Sequence, residues 1–285
     1  MENDTDFVKF WNNVLEPKFT KYKHIIQGGL SRHSKAIIPD LPIKKGMSVL
    51  DVGCGWGDIS IDIAKLVGPS GHVVGIDCVD AFLEVVRKDA KEEDVDNVIF
   101  QRGDAELSLP ENEFDYVVSR FGTMFFTNAV AGLKKMCLAL KEGGLMTHIV
   151  WRDRKDCPAI EQAKLIALKN LPAPSNDNDN CGPGPFSMSN QETLTIMMKN
   201  AGYKNIYFKI IDEKILIGKD LDEAIEYAFT VGPAGEVVRT AGDMLTPQKK
   251  DAIEKDMRDY FKLEEQDSDG IWMKTSSRLV TSTSN

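Results

Sequence analysis

The chain has 285 residues, which is enough for one large domain with an insertion. Its formal net charge is −9 with both signs dispersed, so it lacks the basic face that long nucleic acids require, and no nucleic-acid partner is expected. No apolar run approaches the roughly 20 residues of a transmembrane helix, and five cysteines without a Cys-x-x-Cys pair indicate free thiols in a reducing cytoplasm.

The first predicted element is a helical segment rich in aromatic residues, over residues 5–26. Its apolar residues recur every three or four positions, and Pro17 is expected to kink or break the helix. The pair Gly28-Gly29 is typical of a hinge, and Ser31 suits the N-cap of a further helix over residues 32–38. The aromatic stripe fits a buried core element and also fits a cap over a ligand site.

The most informative stretch is residues 47–58, which reads MSVLDVGCGWGD. An apolar run, three glycines at alternate positions and an immediate helical pattern predict a strand, a tight turn and a helix. Glycines let a ligand lie against the main chain, and the helix start offers unpaired N–H groups. The spacing Gly-x-Gly-x-Gly is one residue short of the dinucleotide fingerprint. Asp51 would repel a pyrophosphate and attract an ammonium group, so we predict a nucleoside-like ligand that carries an amino-acid group.

An acidic residue followed by Gly-x-Gly-x-Gly is the signature of class I S-adenosylmethionine-dependent methyltransferases, which the chain resembles at residues 51–57. The resemblance implies a Rossmann-like fold, S-adenosyl-L-methionine as the cofactor and S-adenosyl-L-homocysteine as its product. It also implies that the cofactor is held by Asp51, Gly53, Gly55 and Gly57.

Two further acidic residues follow the next two predicted strands. Asp77 lies about 20 residues beyond the glycine turn, where a ribose-binding acid belongs in a doubly wound fold, with Cys78 directly after it. An alternative role for Asp77 is to cap a helix over residues 80–94. By resemblance, Asp104 and Ala105 hold the adenine, although an acidic surface turn explains the same residues.

The fourth predicted strand covers residues 114–120 and runs into an apolar loop at 121–126. Ligands of open parallel sheets lie outside the carboxyl ends of the strands, so this loop is expected to face the sulfonium and the methyl acceptor. The motif Asn/Asp-Pro-Pro-aromatic of amino-group methyltransferases acting on nucleic acids is absent here. We assign Arg120 to the cofactor and Phe121, Met124 and Phe125 to the acceptor, with core packing as the alternative.

A helix over 129–140, the segment Lys141-Glu142-Gly143-Gly144 and a fifth strand over 145–151 complete the similarity, which covers about residues 47–152. This pattern is similar to the ubiquinone/menaquinone-biosynthesis type of small-molecule methyltransferase. Two residues at the end of the strand, Trp151 and Arg152, are further acceptor candidates. Three candidate bases are weak, because a lone histidine or tyrosine is more often a packed residue: His33, His148 and Tyr22.

The remainder contains a polar run at 172–180, a sixth strand at 203–211 and a final strand at 271–280, antiparallel beside the sixth. The predicted fold is therefore α/β, with a Rossmann-like, seven-stranded, mostly parallel sheet and helices on both faces. We divide it into an N-terminal helical lid at 1–40, the cofactor-binding core at 41–152, and the rest of the sheet with an inserted helical cover at 153–285, in one domain overall.

The predicted reaction is transfer of a methyl group to a small-molecule acceptor by in-line displacement. Two alternatives stay open, a non-catalytic S-adenosylmethionine-binding protein and a thiol- or arsenite-type methyltransferase that uses Cys157 and Cys181. No metal is expected, because ligand residues are not clustered. The acceptor atom, a base and the oligomeric state are left open.

Overall fold

One mixed sheet organises residues 4–174 and 183–284, the part of the chain that the computed structural model describes. Its strands are β1 (Ser48–Val52), β2 (His72–Asp77), β3 (Val98–Arg102), β4 (Phe114–Arg120), β5 (Leu140–Trp151), β6 (Lys204–Gly218), β7 (Glu265–Gln266) and β8 (Ile271–Thr283). The order is β3-β2-β1-β4-β5-β8-β6, with the two-residue β7 beside β8. The first five strands run parallel, and β8 is antiparallel to both β5 and β6. The predicted sheet of seven main strands is confirmed, and β7 adds an eighth.

Helices cover both faces of the sheet, as predicted. They are α1 (Asp6–Phe10), α2 (Glu16–Lys21), α3 (Lys23–Ile37), α4 (Asp58–Val67), α5 (Asp80–Glu92), α6 (Ala129–Ala139), α7 (Pro158–Ala167), α8 (Gln191–Ala201), α9 (Leu221–Thr230), α10 (Gly232–Ala241) and α11 (Pro247–Phe261). A π-helical turn, Trp11–Leu15, joins α1 to α2, and single 3₁₀ turns lie at Ile38–Asp40, Thr123–Phe125, Arg154–Asp156 and Gly242–Met244. All five residues of β1 are buried, as a central parallel strand requires. No described helix combines the length and apolarity needed to cross a membrane.

The N-terminal segment differs from the prediction. Gly28 and Gly29 lie inside α3, so the predicted hinge is wrong, and Ser31 is a mid-helix residue rather than an N-cap. Gly29 serves close packing, because a Cβ at this position would lie 2.9 Å from the Cβ of Ile215 on β6. Pro17 occupies the first turn of α2, where proline is tolerated, and the interruptions fall in the π-helical turn before it and at Tyr22 after it.

Several other boundaries also move. Strand β5 begins at Leu140, so Lys141-Glu142-Gly143-Gly144 belong to the strand, and β6 continues to Gly218. Val79, not Asp77 or Asp80, is the N-cap of α5. Thr246 is the N-cap of α11, and Pro247 is its first residue. Helices α9 to α11 are inserted between β6 and β8. Most of the polar run at 172–180, together with Cys181, lies outside the described residues.

Candidate cofactor and acceptor site

The glycine turn after β1 has three residues in the left-handed region, with φ of +70° at Gly53, +55° at Gly55 and +67° at Gly57. A Cβ at Gly57 would lie 2.2 Å from Cγ2 of Val86, and one at Gly53 would lie 3.1 Å from Cα of Gly122. A Cβ at Gly55 would meet nothing within 4 Å. Two of the glycines are therefore required by packing, whereas the main chain at Gly55 faces open space that a ligand can fill.

The carboxylate of Asp77 lies against this turn. Its Oδ2 accepts a hydrogen bond from the Gly55 N–H at 2.8 Å, and its Oδ1 accepts one from the Val79 N–H at 3.0 Å. Burial raises the pKa of Asp77, against the lowering effect of these N–H groups. Each carboxylate oxygen keeps a second lone pair, so Asp77 retains the capacity to accept from two further hydroxyls.

A small cavity continues from this edge towards the N-terminal helices. Asp104, Cys78 and Gly103 line one side of it, and Thr5 and Val8 line the other. Oδ1 of Asp104 accepts from the Glu106 N–H at 2.9 Å, and burial raises the Asp104 pKa. Ala105 is buried beside it. The structure thus brings the predicted ribose-binding and adenine-binding acids to neighbouring strand ends, under the start of α1.

The N-terminal segment is tied to this edge by polar contacts that the sequence did not reveal. Asn12, in the π-helical turn, donates from Nδ2 to the carbonyl oxygens of Cys78 at 3.0 Å and Val8 at 2.9 Å. Arg102, at the end of β3, pairs with Asp4 at 2.6 Å and with Asp80 at 2.9 Å. These contacts hold α1 over the cavity.

Asp51 lies beneath the turn and has no exposed surface. Its Oδ2 accepts a hydrogen bond from Ser60, and its Oδ1 has no hydrogen-bond partner among the described residues. Burial raises the Asp51 pKa to about 7, against the lowering effects of Ser60 and the Arg120 charge. Contact of Asp51 with a ligand ammonium group stays a prediction.

Arg120 forms an ion pair with Asp58 inside the protein. Its guanidinium forms two hydrogen bonds of 2.6 Å with the Asp58 carboxylate and a third of 2.8 Å with Oγ of Ser34. Ser31 also donates to Asp58, at 2.9 Å. Burial opposes ionisation of Asp58, yet the Arg120 charge and hydrogen bonds outweigh it and lower the Asp58 pKa. This network joins α3, the first residue of α4 and the end of β4, and direct contact of Arg120 with the cofactor stays a prediction.

The predicted acceptor residues at 121–125 and Trp151 fall into two groups that differ in their exposure to solvent. Phe121, Met124 and Trp151 are buried, with at most 5% of their surface exposed, so in this structure they pack inside the protein. Phe125 is partly exposed and meets Trp11 of the N-terminal segment edge-on, with ring centroids 5.1 Å apart. Trp11 was predicted only as part of an aromatic stripe, because nothing in the sequence pairs it with a loop more than 100 residues later.

Arg152 lies at the end of β5 among protein partners. It donates to Oγ of Ser276 at 3.0 Å and pairs with Asp156 at 3.1 Å. Its assignment to the acceptor stays a prediction.

The three candidate bases are enclosed. His33 and His148 have no exposed surface, and Tyr22 is 2% exposed. Burial lowers the pKa of His33 to about 4, with help from the Arg120 charge, and that of His148 to about 3. A general base must reach the proton that it removes, and this geometry offers none of the three to a ligand.

Two described cysteines, Cys78 and Cys157, give no support to thiol chemistry. Burial raises the pKa of Cys78 to about 12 and that of Cys157 to about 11, so neither is a thiolate near neutral pH. Sγ of Cys157 donates to the carbonyl oxygen of Ser276 at 3.1 Å. Among the described residues, no group of three or more His, Cys, Asp or Glu has the geometry to hold a metal ion.

Residues 43–202 match a family described as the methyltransferase domain. The demethylmenaquinone methyltransferase of Staphylococcus aureus (strain JH9) is 33% identical over 204 residues, which are 67% of this chain and 83% of that protein. The chain belongs to the methyltransferase-domain family. The prediction of an S-adenosylmethionine-dependent methyltransferase is thereby confirmed at the level of the family.

Solved structures share the methyltransferase fold at low identity. The YcgJ protein of Bacillus subtilis aligns with a TM-score of 0.57 and 20% identity, over 89% of this chain and 99% of that one. Phosphoethanolamine N-methyltransferase 2 of Haemonchus contortus, solved with S-adenosyl-L-methionine, aligns with a TM-score of 0.60 and 15% identity, over 99% of this chain and 61% of that one.

Proposed function

We propose that this methyltransferase moves the methyl group of S-adenosylmethionine to an apolar or aromatic small molecule that binds against the aromatic surface formed by Trp11 and Phe125. The edge-on contact of Trp11 with Phe125 is the observation that carries the proposal. Phe19 extends the same aromatic surface, with its ring centroid 5.3 Å from that of Trp11. Partly exposed aromatic rings at a cofactor edge provide a dry surface for a flat, apolar acceptor.

The chain's own residues fit the cofactor. The open space at Gly55 receives it against the main chain, Asp77 suits the ribose hydroxyls, and Asp104 with Ala105 suits the adenine. When bound, S-adenosylmethionine supplies a methyl carbon already activated by its sulfonium. The protein therefore acts by placing the acceptor, for which effective molarities of about 10⁵–10⁸ M are attainable. Residues around Trp11 exclude water from the reacting groups.

Because His33 and His148 are buried, neither is available to remove a proton from the acceptor. A quinol or phenol, with a pKa near the value of about 10 for tyrosine, can lose its proton to water before the site closes over it, so the bound anion needs no base from the protein. The Staphylococcus aureus relative is a demethylmenaquinone methyltransferase, so quinols are the first acceptors to test. A cytoplasmic location belongs to the same proposal and agrees with the free thiols of Cys54, Cys78 and Cys157.

The test is a panel of quinol, phenol, amine, thiol, peptide and RNA acceptors incubated with S-adenosylmethionine labelled on its methyl group. We expect turnover on quinols or phenols, and a raised acceptor KM in Trp11→Ala with unchanged affinity for S-adenosylhomocysteine. Tyr207→Ala, at a 68% exposed position on the edge strand β6, is the matched control. Turnover only on peptide or RNA, or a Trp11→Ala variant that behaves like Tyr207→Ala, would contradict the proposal.

A further inference from the structure

His33 is held on both sides by hydroxyl groups of β8. Its Nε2 lies 2.9 Å from Oγ1 of Thr275, and its Nδ1 lies 2.8 Å from Oγ of Ser277. The Thr275 hydroxyl donates its proton to the carbonyl oxygen of Glu213 at 3.3 Å, so it accepts from the imidazole. This arrangement favours the neutral tautomer that carries its proton on Nε2 and accepts at Nδ1 from Ser277. Both ring nitrogens are used within the protein.

The ring fixed in this way supports an aromatic stack. Phe121 and Trp151 lie parallel, with centroids 3.9 Å apart and an interplanar angle of 21°. His33 meets both of them edge-on, with centroids 5.6 Å from Phe121 and 5.1 Å from Trp151 and interplanar angles of 88° and 86°. Edge-to-face contacts of this kind restrict the orientation of all three rings.

The stack holds a strained backbone at the start of the acceptor loop. Phe121 has a φ of +57°, which is an outlier for a bulky residue and persists only where the surroundings enforce it. Its N–H donates to the carbonyl oxygen of Ile149 at 2.9 Å. The next residue, Gly122, lies so close to the glycine turn that a Cβ on it would be 2.9 Å from the carbonyl oxygen of Val52. The conformation of Phe121 thus sets the path of the loop past the cofactor edge.

We propose that His33 is a positioning residue for methyl transfer: its clamped ring supports Phe121 and Trp151, and through them the loop at 121–126. The proposal rests on the function proposed above, since Phe125 of the same loop carries the acceptor contact. It replaces the sequence-based hypothesis that His33 is a base. The imidazole acts through its shape and its two hydrogen bonds, without gaining or losing a proton.

The experiment compares His33→Phe, which keeps a ring against the stack, with His33→Ala, which removes it. The acceptor probe is 1,4-naphthoquinol under nitrogen at saturating S-adenosylmethionine. We expect kcat/KM to fall about 10–100-fold in His33→Ala, as a loss of positioning near 1 Å does. We expect part of this activity to return in His33→Phe, which restores the ring but not its two hydrogen bonds, with the wild-type pH profile and an unchanged Kd for S-adenosylhomocysteine in both variants. Equal losses in the two variants, or loss of one limb of the pH profile in both, would overturn the proposal in favour of a base.

A second measurement needs no acceptor. With S-adenosylhomocysteine bound, the amides of residues 121–126 should exchange hydrogen fastest in His33→Ala, and at rates between that and wild type in His33→Phe and Ser277→Ala, which keep a ring against the stack but lose both or one of its hydrogen bonds. Unchanged exchange in His33→Ala would overturn the proposal. If the wild-type enzyme binds S-adenosylhomocysteine but methylates no acceptor in the panel, the proposed function fails, while the exchange rates still decide the role of His33.

Discussion

Removing one partner of the Asp58–Arg120 pair should destabilise this protein more than any surface change. The side chains are 22% and 8% exposed, and two hydrogen bonds of 2.6 Å join them. Asp58→Asn leaves the guanidinium enclosed without a full counter-charge. Breaking a buried pair in this way costs about 3–5 kcal/mol. At about 2–3 °C per kcal/mol for a chain of this size, the Tm should fall by about 6–15 °C.

Thermal melts of a small set of variants test this reasoning. Asp58→Leu combined with Arg120→Met removes both charges and should melt above Asp58→Asn, because no charge is left buried and unpaired. Lys255→Met is the matched control, since its 2.7 Å pair with Asp259 lies exposed on α11 and should leave the Tm unchanged. The reasoning would be refuted if Asp58→Asn had the Tm of wild type, or if the double variant had a lower Tm than Asp58→Asn.

Three further predictions follow from other positions. Asp77→Asn should weaken binding of S-adenosylhomocysteine about 10–100-fold, because hydrogen bonds to a charged group contribute about 1.5–3 kcal/mol. Calorimetric titration measures the Kd of this variant and of the control Asp251→Asn, which changes an exposed residue. An unchanged Kd in Asp77→Asn would contradict the prediction. Between pH 6.5 and 4.5, the slope of the free energy of unfolding against pH should be smaller in His148→Phe than in wild type, by up to about 1.4 kcal/mol per pH unit. The unfolded chain protonates this imidazole near pH 6.5, whereas the folded pKa is about 3, so equal slopes in urea titrations would be inconsistent with its burial. Gly28→Ala should stabilise the protein by about 0.5–1 kcal/mol, because alanine favours the helix more than glycine does. Gly29→Ala should destabilise it by about 1–3 kcal/mol, because the new Cβ would lie 2.9 Å from the Cβ of Ile215 on β6. The unfolding midpoints of the two variants should therefore move in opposite directions.

The sequence predicted the sheet and the placement of its acidic strand ends because both depend on local patterns. Buried parallel strands give continuous apolar runs, and the residues that follow them meet at one edge of the sheet. Asp77 and Asp104 could therefore be placed before the structure was known. The contact of Asp104 with Glu106 lies within one turn, and the contact of Asp77 with Gly55 joins the ends of two neighbouring strands.

The contacts that shape the acceptor end could not be predicted, because they join residues far apart in the chain. The pair Gly28-Gly29 is typical of a hinge in the sequence, but in the structure Gly29 allows α3 to pack closely on β6. Only the position of β6 distinguishes a hinge from a packing contact. His33 meets Thr275 and Ser277 across more than 240 residues. Arg120 pairs with Asp58, which lies 62 residues earlier in the chain, and no local spacing indicates this pairing.

The central claim is that the cofactor lies against the main chain at Gly55, and calorimetric titration with S-adenosylhomocysteine tests it most directly. Gly55→Ala and Gly143→Ala place a methyl group at φ of +55° and +71°, and in both cases it meets nothing within 4 Å. Both variants should therefore lose similar stability from backbone strain. The account predicts that Gly143→Ala binds S-adenosylhomocysteine like wild type while Gly55→Ala does not bind it. Wild-type affinity in Gly55→Ala would contradict the account.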